Sequence, residues 1–118
     1  MKKNLLLTYS EQLAIDVETL CQSLTSFSGT KNILFQVKKS SSSVYANISE
    51  AQYPQSLPDM LSKLKIARKE CFETESWLKL LFEGNYIIEE TYKTYRNLCG
   101  RIRKLLTASC ITIENKIK

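Results

Sequence analysis

Residues 57–84 read LPDMLSKLKIARKECFETESWLKLLFEG. Leu57, Met60, Leu64, Ala67, Cys71, Thr74, Leu78 and Leu81 recur at nearly unbroken steps of three and four, which lines them along one helix face. That alternation is the spacing at which helices lie side by side in a left-handed bundle. Pro58 and Asp59 suit a first helical turn, where the proline ring fixes a helical φ and the acid meets the positive end of the helix dipole. Gly84-Asn85 supplies a C-cap pair. The stretch predicts a helix over Pro58–Glu83.

Working outward, Tyr53-Pro54-Gln55-Ser56-Leu57-Pro58 is the clearest break, because proline bars helix interiors and biases the residue before it away from helix. Before it, Ile33, Val37, Val44, Ile48 and Ala51 form the stripe of a helix over Lys31–Gln52. Ser40-Ser41-Ser42-Ser43 interrupts its composition and could form a loop, since serine is a mediocre helix former. The stripe nevertheless keeps register through the run, with Ser41 on the Val37/Val44 face, so the segment reads as one helix. Upstream, Leu6, Leu13, Val17, Leu20, Leu24 and Phe27 predict a helix over Thr8–Phe27, stopped by Ser28-Gly29-Thr30. Downstream, Ile88, Tyr92, Tyr95, Cys99, Ile102, Leu106, Ser109 and Ile113 predict a last helix from Tyr86 to near the C-terminus. Gly100 within it costs up to ~1 kcal/mol relative to alanine. Short turns make consecutive helices antiparallel, so the expected fold is all-α, an up-down-up-down four-helix bundle in one domain over residues 1–118. Phe72, Trp77, Leu80, Phe82 and Tyr86 lie partly outside the stripes, as either a second apolar surface for subunit contacts or a broad core face.

The composition agrees with one helical domain. Of 118 residues, 43% are hydrophobic and 25% charged, with three Gly and two Pro. There is no histidine, which removes the commonest general base and metal ligand and excludes most hydrolase triads and His-built zinc sites. Cys21, Cys71, Cys99 and Cys110 form no C-x-x-C pair and sit in apolar-periodic stretches, so they read as small hydrophobes in a reducing compartment. Met1-Lys2-Lys3-Asn4 opens like a secretion signal, but the following apolar run is three leucines, against the about 7–15 residues a signal needs. No stretch approaches the about 20 apolar residues of a membrane span, so a soluble, cytoplasmic protein is expected.

The chain carries 17 Lys and Arg against 12 Asp and Glu, a net +5. Three basic clusters stand out: Lys38 and Lys39; Lys63, Lys65, Arg68 and Lys69; and Arg101, Arg103 and Lys104. Like charges weaken an isolated helix slightly, and a phosphate backbone would compensate them by counterion release. The alternative is a solvated face partly paired with Glu70, Glu73 and Glu75. Glu50, Glu70 and Glu73 could meet inside a bundle as metal ligands or acid/base groups, but di-iron bundles need Glu-x-x-His, so a structural role is favoured. No phosphate loop or nucleophile elbow is present, and neither enzyme activity, a metal nor a cofactor is expected.

Two stretches then act together. Gln36-Val37-Lys38-Lys39-Ser40-Ser41-Ser42-Ser43-Val44-Tyr45-Ala46-Asn47-Ile48-Ser49-Glu50-Ala51 and the run from Lys63 to Leu81 containing Ala67, Lys69-Glu70, Glu73-Thr74 and Trp77-Leu78 resemble a bacterial family of four-helix bundles. That family is named for proteins encoded in 23S rRNA intervening sequences, and includes the accessory variability determinant of diversity-generating retroelements. Lys39 stands where the family pattern has arginine, keeping the charge but not the planar fork. The resemblance implies an antiparallel bundle, a ring-forming homopentamer, a basic surface for RNA or DNA and, in the retroelement branch, a reverse transcriptase partner. It implies roles in bundle packing and subunit contacts for Asn47, Glu50, Glu70, Glu73 and Trp77. Charge clustering assigns Lys38, Lys39, Lys63, Lys65, Arg68, Lys69, Arg101, Arg103 and Lys104 to phosphate contact. The sequence therefore favours a non-enzymatic, homo-oligomeric nucleic-acid-binding or scaffold protein, with a protein–protein adaptor as the alternative.

Overall fold

The computed structural model describes residues 4–118. Met1, Lys2 and Lys3, which open the stretch weighed above as a signal, lie outside the described residues. Four helices follow one another: α1 (Leu5–Leu24), α2 (Lys31–Glu50), α3 (Leu57–Glu83) and α4 (Glu89–Ile117). Each packs against its neighbour in sequence and α1 closes against α4, while among the described residues the backbones of the diagonal pairs stay apart. The Asn4 side chain donates to Gln52 Oε1 at 2.9 Å, joining the start of α1 to the end of α2. At the other end the Phe27 ring meets the edge of Tyr86, with centroids 5.6 Å apart. The result is the expected antiparallel four-helix bundle, 50 Å long and about half as wide (25 × 23 Å).

The helix ends show why the sequence-based bounds shift. α1 begins three residues before the predicted Thr8, because the Asn4 side chain accepts the Leu7 N–H at 3.1 Å and caps the leucine run. It ends before Phe27, and Gly29 at φ 86° turns the chain into α2. Ser56 caps α3 by accepting from Asp59 N, and the Asp59 carboxylate accepts from Gln55 N, a reciprocal closure around Pro58. At the far end of α3, Tyr86 N bonds to Leu81 O and Asn85 N to Phe82 O, the Schellman pattern. Asn85, at φ 65°, holds the left-handed position, while Gly84 stays at φ −80°. Extended backbone at Ile88 delays α4 to Glu89 and leaves Ile88 67% exposed, off the core stripe where spacing put it.

The serine run is continuous helix. Ser40, Ser41 and Ser42 return their hydroxyls to Val37 O, Lys38 O and Lys38 O, so Ser40 and Ser41 are buried without an unmet polar group. Ser40 also receives Thr74 Oγ1 from α3 at 2.8 Å. The core is lined by Leu13, Val17, Val37, Val44, Ile48, Leu64, Leu78, Leu81, Ile102 and Leu106, with all four cysteines buried and free among them. Cys71 Sγ donates to Cys99 O at 3.4 Å where α3 meets α4. On α1 the buried stripe runs through Ser10 and Cys21, with Leu6 and Leu20 at its margin. The remaining apolar residues divide between the two readings. Trp77, Phe82 and Tyr86 pack against the core, Phe82 stacked on Tyr92 at 4.9 Å, whereas Phe72 and Leu80 remain about half exposed.

Candidate nucleic-acid interface

The bundle distributes the basic clusters over several faces. On α2, Lys38 lies near Cys21 of α1, while Lys39 lies near Glu70 of α3. On α3, Lys63 Nζ sits 3.7 Å from Glu50 of α2. Lys65 and Lys69 line a mostly apolar groove of about 600 Å³ with Leu61, Ile66 and Ile117. Arg68, half-buried, and Lys65 both lie near Cys110 of α4. On α4, Lys104 is exposed. Arg101 lines a 440 Å³ cleft along the α1–α4 seam with Asp16, Tyr95 and Asn97. The Tyr95 hydroxyl bridges that seam, donating to Asp16 O at 2.8 Å. Burial pushes its pKa up to about 12.

Arg103 differs from the rest of its cluster. Its Nε and Nη2 both engage the Glu75 carboxylate, the latter at 3.1 Å, and its guanidinium lies 4.7 Å from the Phe72 ring centre. Glu75 is only 17% exposed, so the pair straps α4 to α3 in a partly dry setting. The hydrogen bond to Glu75 holds the Arg103 pKa above its ordinary value. Its charge is therefore met by Glu75 at the α3–α4 seam. Sequence clustering could not separate it from Arg101 and Lys104, because the separation depends on which residue of α3 stands opposite.

The polar positions implied by the resemblance also scatter. Asn47 donates to Ser43 O at 2.9 Å and Ser43 Oγ at 3.1 Å, one turn back on its own helix. Glu50 stands beside Lys63. Glu70 is held above the ordinary carboxylate pKa first by burial and then by its hydrogen bond to, and repulsion from, Glu73. Glu50, Glu70 and Glu73 do not converge, and among the described residues no three His, Cys, Asp or Glu side chains gather at metal-binding distance. Burial raises the pKa of Cys21 to about 11 and that of Cys110 above its usual value, and the Cys71 hydrogen bond raises Cys99, so these thiols stay protonated at neutral pH. Among the described residues no helix is long and apolar enough to cross a membrane.

An antiparallel four-helix bundle with most of its cations turned outward is the class that fold and surface define. The chain belongs to the 23S rRNA-intervening sequence protein family, whose model matches residues 2–108. It is similar to a solved protein of unknown function from the S23 ribosomal protein family of Bacteroides thetaiotaomicron. The two are 35% identical with a TM-score of 0.82, over 89% of this chain and 97% of that one. No curated protein matches the chain.

Proposed function

We propose that the protein is a non-enzymatic, homo-oligomeric scaffold, pentameric as the family resemblance implies, that binds nucleic acid through phosphate contacts. One observation carries this reading. Of the candidate cations, Lys63 and Arg103 alone face a carboxylate at ion-pair distance among the described residues. Lys38, Lys39, Lys65, Arg68, Lys69, Arg101 and Lys104 have no carboxylate at that distance among the described residues, on a chain of net +5. A phosphate polymer compensates such charges by releasing condensed counterions and needs no sequence-reading pocket. Four free, buried thiols suit a reducing cytoplasm.

The test is binding of labelled single-stranded RNA and duplex DNA of mixed sequence at salt concentrations from roughly 50 to 200 mM. Sequence-indifferent binding that weakens steeply across this range supports the reading. Negligible binding of both at the lowest salt overturns it. The adaptor reading, with a reverse transcriptase as an example partner, then takes its place, since the exposed Phe72 and Leu80 offer a protein the apolar contact that phosphate does not use.

A further inference from the structure

The groove on α3 is poorly made for phosphate. Beside Lys65, Lys69 and Ser62 its lining is aliphatic, from Pro58, Leu61, Ile66 and Ile117. It offers no aromatic ring for a base to stack on, and Ile66 is 41% exposed. Such a surface asks for an occupant with an apolar residue at its centre and acids on either side. The chain presents that pattern on α1. Ile15 is 56% exposed, with Glu11 one turn before it and Glu18 three residues after it, both exposed on the same outward face. α1 carries three acids and no lysine or arginine. Asp16, the third acid, is turned aside, accepting from Gln12 Nε2 at 2.8 Å and lining the α4 seam. Glu11 and Glu18 have no ion-pair partner among the described residues.

We infer that the Lys65–Ile66–Lys69 groove of one copy receives the Glu11–Ile15–Glu18 face of a second copy. The inference rests on the homo-oligomeric reading above and names its interface. Along the helix axes, Glu11 and Glu18 are separated by roughly 10 Å and Lys65 and Lys69 by roughly 6 Å, a difference that the flexible lysine stems span. Ile15 then enters the aliphatic lining, removing both apolar surfaces from water while each lysine meets a glutamate at the rim. α1 and α3 occupy diagonal corners of the bundle, and among the described residues their backbones do not approach each other within one copy. The contact is therefore heterologous: every copy offers one donor face and one acceptor groove, which closes into a ring when the rotation between copies permits. In the assembly Lys65 and Lys69 serve the neighbour, and Lys38, Lys39, Arg68, Arg101 and Lys104 remain for phosphate.

Native mass measurement and light scattering on four full-length chains test this: wild type, Glu11→Lys/Glu18→Lys, Lys65→Glu/Lys69→Glu, and the chain carrying all four exchanges. The expected result is an assembled wild type, a loss of at least ~10-fold in self-association in each double variant, and recovery in the fourfold exchange, where attraction is restored with reversed sign. Recovery also rules out misfolding as the cause of dissociation. An assembled wild type whose double variants keep its mass overturns the interface alone, as does a fourfold exchange that stays dissociated. A monomeric wild type overturns the oligomeric reading itself and leaves the groove to an acidic helix of another protein.

Discussion

Ser40 and Thr74 face each other where α2 meets α3, with Thr74 Oγ1 2.8 Å from Ser40 Oγ and 2.9 Å from Glu70 O. Both residues are buried, and each hydroxyl also has a carbonyl on its own helix, Val37 O for Ser40. Removing one hydroxyl therefore strands nothing, so Ser40→Ala and Thr74→Val should each cost about 1 kcal/mol of unfolding free energy in urea. The double variant should cost less than the sum, because the shared bond is lost only once; strict additivity would show the two hydroxyls to be independent. Glu70, one turn before Thr74, behaves differently. Burial and Glu73 raise its pKa from the ordinary 4.5 in the folded state. The folded chain therefore holds that proton more tightly than the unfolded chain, and stability falls as pH rises from 4.5 through the folded-state value. Glu70→Gln should accordingly raise the melting temperature at pH 7, with the advantage vanishing below 4.5, and a lower melting temperature at pH 7 would contradict this assignment.

Among the elements, α4 and the end of α3 each contain a glycine, and only one glycine is needed. A Cβ added at Gly100 meets nothing nearer than the Arg103 Nη2 at 3.9 Å. No close helix approach explains it, so Gly100→Ala should stabilise α4 by ~0.5–1 kcal/mol, read as a raised urea midpoint. At Gly84 the same atom would lie 2.9 Å from the Tyr86 ring and 3.1 Å from Leu80 O. Gly84→Ala should therefore destabilise by roughly 1–3 kcal/mol, and equal effects at the two sites would contradict the cap geometry. The elements were largely legible in the sequence because their stripes are long: Leu64, Ala67, Cys71, Thr74, Leu78 and Leu81 are all buried as spaced. The serine run was legible for the same reason, its register being unbroken. The ends were less so. Asn4 capping a leucine run and extended Ile88 are decided by single backbone turns, which a periodicity of three and four does not register.

At the scale of the whole molecule, composition showed how much charge there is, but not which charges remain free. Pairing depends on the axial offset between antiparallel helices, and a shift of one residue would have brought a different side chain opposite Glu75. Arg103 and Arg101, two residues apart, therefore separate: Arg103 is strapped to α3 and Arg101 lines the α1–α4 cleft. If phosphate contact is the function, the two should fail in different ways. Arg101→Gln and Lys104→Gln should each lower the slope of log affinity against log salt by about one, uniformly across nucleic-acid sequences, with little change in unfolding. Arg103→Gln should leave the slope unchanged and cost roughly 1–3 kcal/mol of stability, between the values for exposed and buried pairs, because Glu75 keeps a partly buried charge with no partner. Glu75→Gln tests the strap from the other side. It should also destabilise the bundle, yet it releases the Arg103 charge toward solvent, so the slope should hold or rise by about one. A fall in slope for both strap variants would place Arg103 on the nucleic acid and move the basic surface onto the α3–α4 face.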